Sequence, residues 1–299
     1  MAKSIRKSGK RRLPERKVLG LKMLDQAVPY EAHDALFSLI FLANGLPDDF
    51  ASVLQAQLEI MQEKQIEIIH HGLVAEDGNV HVHISFSQHQ LRLICIARPA
   101  PEDLIGHAIE CAHWAKAEKD VLRAHTHHYF CQYLSGSDNV GEQILTIEKV
   151  AVSLMTAGVL GTVDPEAWNC APTHVLQRLL SGETHQSLVE DPPVEVWAGF
   201  AKLFKNEREV WFCSKAFHRW GVVDFAWLGV PAQGAEAFEL FRALFSYVRN
   251  SDATLKVGDT AQFGENLLLR FGELSEYHEY LQGPLDTLVI EQKKKKNFH

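Results

Sequence analysis

The chain has 299 residues, of which 46% are hydrophobic and 23% are charged, and its formal net charge is −8 at pH 7. This is the composition of an ordinary globular protein, long enough for one large domain or two smaller ones with buried cores. The longest largely apolar run, residues 35–43, is far shorter than the roughly 20 residues that span a bilayer. The sequence therefore predicts no transmembrane helix.

Cysteine usage and the N-terminus predict the compartment. The five cysteines occur singly and form no CxxC pair, which argues against both a disulfide framework and a structural zinc site. The basic N-terminus is not followed by an apolar segment, so we predict no signal peptide. Together these features predict a cytoplasmic protein whose cysteines serve as small hydrophobic residues.

The charges are unevenly distributed along the chain. Residues 1–17 carry a net charge of +7, residues 293–296 add +4, and residues 18–292 must therefore carry −19. Residues 1–17 contain almost no apolar side chains, so we predict a disordered basic tail there and a second basic tail at residues 292–299. The sequence thus predicts an acidic body between two basic tails.

A helical segment is predicted between the first tail and residue 64. Residues 35–43 are apolar on all sides, which favours a buried helix. Pro47 and two aspartates then form a typical helix start. The apolar residues that follow fall on one helical face: Phe50, Val53, Leu54, Leu58 and Met61.

The first half of the body, residues 65–163, is predicted to have the order βββαβ followed by a helix. A period of two in the apolar residues predicts its strands, at residues 66–74, 80–87, 90–97 and 127–134. The first two are joined through Asp77 and Gly78, a type I′ hairpin signal. One helix is predicted to begin at Pro101, and another runs from about Asn139 to Gly158.

A connection and a second half complete the predicted architecture. Residues 164–193 contain four prolines and are predicted to connect the halves. The second half, residues 194–291, contains five predicted strands, at residues 194–204, 209–217, 221–230, 266–271 and 285–290. It also contains a predicted helix at residues 231–250, with an apolar stripe of Phe238, Phe241, Phe245 and Val248. The fold class is α+β, with mainly antiparallel sheets covered by helices in two similar βαβ-containing halves.

Several segments resemble a bacterial family known as domain of unknown function 4261. The similarity covers roughly residues 65–291 and lies in the run LRAHTHHYFCQ at residues 122–132, the helix at residues 144–158, the later strands and helix, and LKVGDT at residues 255–260. The family has no established activity. The resemblance therefore implies a fold and a compartment, and no chemistry.

The stretch NVHVHISFSQHQ at residues 79–90 raises the question of a metal site. In a strand, His81, His83 and Ser85 point to one face at intervals of about 7 Å. With a two-residue turn in the preceding hairpin, His70 faces Ser85 and is a diagonal neighbour of His83. Imidazoles so placed would suit a transition metal, with His127 as a further ligand if its strand lies alongside.

The next strand disfavours that site. With a turn at Gln88 and His89, Arg92 faces Ser85, and two isoleucines face the histidines. A fixed guanidinium raises the cost of placing a cation nearby. We therefore favour ordinary strand histidines, and keep a metal site and a pH-responsive or anion-binding cluster as alternatives.

Other catalytic signals are weak. The sequence contains no nucleophile elbow, P-loop, GxGxxG or HExxH motif, so we predict no cofactor and lean against an enzyme. Asp259 and Thr260, after Gly258, could present a carboxylate and a hydroxyl from a loop. A turn in which the aspartate caps its own backbone is the favoured interpretation.

The N-terminal tail carries a further hypothesis. Its basic side chains could neutralise several phosphates and give weak, salt-dependent contact with nucleic acid or the ribosome: Lys3, Arg6, Lys7, Lys10, Arg11, Arg12, Arg16 and Lys17. The tail could instead fold back on the acidic body or simply remain solvated. Overall we predict a non-enzymatic cytoplasmic binding protein whose partner is another protein, with a metal-assisted hydrolase using the strand histidines as the alternative.

Overall fold

A computed structural model describes residues 35–45, 49–71, 79–251, 253–263 and 267–294 of the chain. The basic tail of residues 1–17 lies outside these residues. Within them, two mainly antiparallel sheets of seven and six strands are covered by helices. The predicted α+β class is confirmed. No helix in these ranges is both long enough and apolar enough to cross a membrane.

The first sheet is built from residues 37–172 and is antiparallel throughout. Its spatial order is β2-β3-β4-β5-β1-β6-β7. The strands are β1 (Phe37–Ala43), β2 (Glu67–His71), β3 (Val80–Phe86), β4 (His89–Ile96), β5 (His127–Ser135), β6 (Val159–Asp164) and β7 (Asn169–Pro172). The helices up to the second sheet are α1 (Phe50–Ile60), α2 (Glu102–Cys111), α3 (Lys116–Arg123), α4 (Val140–Ser153), α5 (Thr173–Gly182), α6 (His185–Glu190) and α7 (Val194–Trp197).

The helix predicted at residues 35–43 is wrong, because this segment is β1, between β5 and β6. Leu39 and Phe41 belong to the core on one face of the sheet, while Ile40 and Leu42 belong to the core on the other. A central strand that is buried on both faces has a continuous apolar sequence. Over so few residues that pattern cannot be distinguished from a buried helix.

The second sheet has the order β11-β12-β13-β10-β9-β8. Its strands are β8 (Gly199–Phe204), β9 (Val210–Lys215), β10 (Asp224–Gly229), β11 (Thr260–Phe263), β12 (Leu267–Gly272) and β13 (Thr287–Lys294). Only the pairing of β10 with β13 is parallel among the described strands. The helix α8 (Gly234–Ser251) covers one face with the predicted apolar stripe, of which Phe241, Phe245 and Val248 are buried.

Two segments differ in detail from the sequence prediction. The strand predicted at residues 194–204 begins as the single helical turn α7, which follows Pro193, and only Gly199–Phe204 is extended. The segment predicted to connect the halves, residues 164–193, contains β7 and the helices α5 and α6. Since β7 pairs with β6, part of this segment belongs to the first sheet.

A buried ion pair joins the two sheets. Arg219, between β9 and β10, binds Asp164 at the end of β6 through both terminal nitrogens, at 2.5 and 2.9 Å. It also binds Glu166 at 3.0 Å and lies 4.8 Å from the centre of the Phe37 ring. A guanidinium buried among these groups fixes the position of the second sheet against the first.

Candidate functional site

The structure does not assemble the predicted histidine cluster. The register pairs His70 with Val82 instead of Ser85, and the side chain of His70 lies outside the described part of the molecule. His127 begins β5, which β4 separates from β3. In the ranges described above, no group of three or more His, Cys, Asp or Glu side chains could hold a metal ion.

The predicted registers are wrong for a local reason. The turn between β3 and β4 is formed by Ser87 and Gln88, one residue earlier than predicted, and Ser87 adopts a φ of +53°. His83 is therefore opposite Arg92, and His81 is opposite Ile94. In the first hairpin, Asp77 and Gly78 lie outside the described residues.

The loop candidate has the turn geometry that the sequence favoured. A carboxylate oxygen of Asp259 accepts a hydrogen bond of 2.8 Å from the Lys256 backbone N–H. Gly258 has a φ of +94°, which glycine adopts without strain. Asp259 therefore caps its own loop, and Thr260 begins β11.

A groove with a volume of about 1000 Å³ lies between the two halves. Its base is the edge strand β8, and its two walls are the C-terminal end of α2 and the N-terminal half of α8. We call it the β8 groove. It is lined by residues 107, 110–113, 195, 200–204, 212–213, 234–235, 237–239 and 241–242.

Aromatic side chains line the α8 side of the β8 groove. The Phe200 ring packs edge-on against Phe238, with the ring centres 4.7 Å apart. Phe212 lies beside them in the same core. Phe204, at the end of β8, is 67% exposed. Burial of such side chains by a ligand would contribute most of the binding free energy.

The α2 side carries a histidine and a cysteine that remain uncharged. Nε2 of His107 lies 3.6 Å from the Cys111 sulfur. Burial raises the pKa of Cys111 to about 11, and burial together with the Lys215 charge lowers the pKa of His107. A thiol with so high a pKa is protonated at neutral pH and is a poor nucleophile. This wall suits binding better than catalysis.

Charges at the rim are mostly engaged within the protein. Glu239 binds Arg242 at 2.7 Å, and Glu110 binds Arg123 at 2.7 Å. Lys202 donates to the Pro231 carbonyl at 2.8 Å. Glu195 is the exception, because no basic group of the described residues lies within ion-pair distance of its carboxylate.

A second cavity, of about 560 Å³, lies on the first half and is lined by charged groups. We call it the polar cleft; its interacting residues are Glu63, Ser87, Glu142, Lys149 and His185. Lys149, on α4, donates to Glu63 at 2.5 Å and to Nδ1 of His185 at 3.2 Å. Since Nδ1 accepts, Nε2 of His185 carries the proton and donates to Glu142 at 2.8 Å.

The polar cleft contains a serine beside a carboxylate, but the pair is not an activated nucleophile. The Ser87 hydroxyl donates to Glu63 at 2.7 Å. Burial opposes ionisation of Glu63, yet hydrogen bonds from Lys149 and Ser87 outweigh it and lower its pKa. A carboxylate with a lowered pKa is a weak base. The network instead joins the segment after α1, the helices α4 and α6, and the β3–β4 turn.

Comparison of the chain with protein-family models, curated proteins and solved structures finds no match. The resemblance to domain of unknown function 4261 therefore stays a prediction.

Sequence reasoning missed the β8 groove because its parts come from three distant segments. Residues of α2, of β8 and of α8 form it together, and only the packing of the two sheets brings them into contact. Two weak signals were available. One is the alternation of Phe200, Lys202 and Phe204 on one face of a strand. The other is Lys202 itself, because lysines are common on edge strands.

Proposed function

We propose that this protein is a non-enzymatic binding protein whose ligand occupies the β8 groove. The observation that carries the proposal is the groove itself, a concave, aromatic-lined cavity of about 1000 Å³ at the junction of two sheets. Ligand sites in proteins have this size, this apolar lining and this position between structural units. The partner that we expect in a reducing cytoplasm is another protein.

The chemistry of the groove favours binding over a reaction. Its thiol is protonated at neutral pH, and its glutamates at positions 110 and 239 are held by arginines. A catalytic site instead has an acid, base or nucleophile with a pKa tuned towards the working pH. The groove therefore offers shape and apolar surface to a ligand.

The experiment fills the groove without disturbing the fold. Ala235 is exposed and lines the groove, so Ala235→Arg places a bulky charged side chain in it. Ala232 is also exposed but does not line the groove, and Ala232→Arg is the matched control. The probe is Nile red, an uncharged apolar dye whose fluorescence rises in apolar sites.

We expect wild type and Ala232→Arg to bind the dye equally and Ala235→Arg to bind at least tenfold more weakly. Equal binding by both variants would place the dye elsewhere on the molecule and would remove the proposal. Circular dichroism and thermal unfolding of the three proteins verify that they are folded alike.

A further inference from the structure

We infer that the ligand of the β8 groove is an extended peptide, which adds to the outer edge of β8 as a further strand of the second sheet. This inference rests on the proposed function and names the class of partner. The peptide carries apolar side chains at alternate positions, facing α8, and a basic residue at the end that lies near Glu195.

The first argument is the open edge of β8. The hairpin with β9 closes with a hydrogen bond of 3.0 Å from the Lys205 N–H to the Glu209 carbonyl. Antiparallel pairs alternate between bonded and non-bonded positions, so Leu203 and Ala201 direct their backbone groups towards β9. The N–H and C=O groups of Phe200, Lys202 and Phe204 therefore point away from β9.

No strand of the described residues pairs with that edge, since β8 is the last strand in the order of its sheet. The start of the edge is covered, because Gly199 packs directly against the Ala167 carbonyl. The open part is Phe200 to Phe204, all of which lines the groove. Five extended residues span about 14 Å from first to last.

These backbone groups decide the chemical class of the ligand. A small apolar molecule can occupy part of the groove, but a purely apolar ligand that covers the edge of β8 would remove water from the N–H groups of Phe200, Lys202 and Phe204 and leave them without partners. Each unsatisfied buried group costs about 1–3 kcal/mol. A polypeptide backbone laid alongside β8 satisfies all of them with the regular spacing of a sheet.

The two walls of the β8 groove determine which side chains the peptide should carry. Phe200 belongs to the face of the second sheet covered by α8. Ala201 and Leu203 belong to the opposite face, where Cys111 of α2 packs. Successive side chains of an added strand point to alternate faces, so one set meets the aromatic wall of α8. The other set meets the end of α2, where Cys111 and Ala112 lie beside His107 and His113. The set that meets α8 is therefore predicted to be apolar.

Charge complementarity at one end completes the identification. Glu195 lies in α7, just before β8, and its charge acts on both His113 beyond α2 and Arg242 on α8. It lines the groove and is exposed. A lysine or arginine of the peptide placed there finds the one rim carboxylate that the described residues leave without an ion pair.

The test begins with a library of random linear peptides displayed on phage and panned against the full-length protein. We expect enriched sequences to contain apolar side chains at alternate positions over about five residues, with a basic residue at one end. Glu195→Gln should weaken an enriched synthetic peptide severalfold. An equal affinity for Glu195→Gln would remove the basic residue from the inference.

Amide hydrogen exchange, measured residue by residue by NMR, distinguishes strand addition from other binding. With the peptide bound, the amides of Phe200, Lys202 and Phe204 should exchange at least tenfold more slowly. Those of Ala201 and Leu203, already bonded to β9, should be nearly unchanged. Peptide binding without protection of the outward amides would overturn strand addition.

A pair of variants at one position provides an independent test. Lys202→Pro removes an outward N–H and leaves the bonds to β9 intact, since proline is tolerated on the solvent side of an edge strand. Lys202→Ala removes the side chain and keeps the N–H. We expect Lys202→Pro to lose at least tenfold in affinity, and Lys202→Ala less than threefold; equal losses would contradict the inference.

The results also separate this inference from the proposed function. If the groove binds Nile red and the library yields no peptide that Ala235→Arg excludes, the peptide is wrong and the binding site remains. If neither the dye nor a peptide depends on the groove, both proposals fall.

Discussion

The β8 groove and the polar cleft are built in opposite ways. In the polar cleft, each charged group that joins the network has a partner inside the protein, from Ser87 through Glu63 and Lys149 to His185 and Glu142. In the β8 groove, the open edge of β8 and the exposed Phe204 ring face solvent. The first cavity is complete without a ligand, while the second leaves bonding groups and apolar surface that a ligand would satisfy.

This difference shows why titratable residues in a cavity are an insufficient sign of function. The polar cleft has the serine, histidine, lysine and carboxylates of an active site. Their mutual hydrogen bonds give them a structural role. The β8 groove has no such residues in an activated state, yet its shape and its open backbone groups suit a partner. The following variants test that distinction.

The largest expected effect concerns Glu148, on α4 near Trp197, which is 2% exposed. Burial raises its pKa to about 8, and the Trp197 indole offsets only part of this effect. The native state therefore holds a proton that the unfolded chain releases near the ordinary value of 4.5. Stability is full below that pH and falls as the pH rises to about 8, by about 1.4 kcal/mol per pH unit.

Glu148→Gln removes this ionisation while keeping the shape of the side chain. We expect the free energy of unfolding of the wild type to fall by about 4 kcal/mol between pH 5 and pH 8 from this group, and the variant to lack that component. Urea unfolding at several pH values measures both slopes. Parallel pH profiles for the two proteins would show that Glu148 ionises normally.

The next effect tests whether the polar cleft supports the fold. The side chains of Lys149 and Glu63 are 15% and 10% exposed, so Lys149→Ala leaves a mostly buried carboxylate without its cation. We expect a loss of about 3 kcal/mol in the free energy of unfolding. The matched control is Lys116→Ala, whose pair with Asp120 is on the surface with exposures of 86% and 50%; its loss should stay below about 0.5 kcal/mol. If both variants lose similarly little free energy of unfolding, the network of the polar cleft does not stabilise the fold.

The sequence predicted most elements of the fold where one physical signal dominated. The apolar period of two identified the strands around residues 80–96, and the stripe of Phe241, Phe245 and Val248 identified α8. The prediction was wrong for β1, because a strand that is buried on both faces lacks the alternation of apolar and polar residues that distinguishes a strand from a helix. The helix predicted from about Asn139 begins there in the structure, where Asn139 caps α4 by accepting hydrogen bonds from two backbone N–H groups.

The candidate site was harder to predict than the fold, for two reasons. Because the β3–β4 turn lies one residue earlier than predicted, the cross-strand partner of His83 is Arg92 and not Ile94. A predicted metal site depends on which residues are neighbours, so an error of one residue in the register removes it. The β8 groove depends on how α2, β8 and α8 pack. Nothing local in the sequence specifies that arrangement, since each element on its own is an ordinary amphipathic segment.

A substitution of Phe204 in the β8 groove is expected to change the stability of the protein little and to weaken ligand binding more strongly. Phe204 is 67% exposed at the end of β8, and exposed side chains contribute little to folding. We expect Phe204→Ser to change the free energy of unfolding by less than about 0.5 kcal/mol and to weaken Nile red and peptide binding severalfold. A large loss of stability would instead make Phe204 part of the core. Val230→Ser, at an exposed position of 48% outside the groove lining, is the control for both measurements.

The smallest effect on the stability of the folded body is expected from deleting the basic N-terminal tail. The deletion also distinguishes apolar binding from phosphate binding, because the two differ in their dependence on salt concentration. Binding in an apolar groove changes little with ionic strength, whereas phosphate contacts by basic side chains weaken steeply as salt rises. Deleting residues 2–17 removes eight Lys or Arg side chains and should reduce retention on RNA or DNA at low salt, with a shallower dependence on salt concentration. Nile red binding and the unfolding midpoint should be unchanged, because neither depends on the tail. If the truncated protein keeps the wild-type retention and salt dependence, the nucleic-acid contact lies elsewhere, and the acidic body would then have to supply it against its own negative charge.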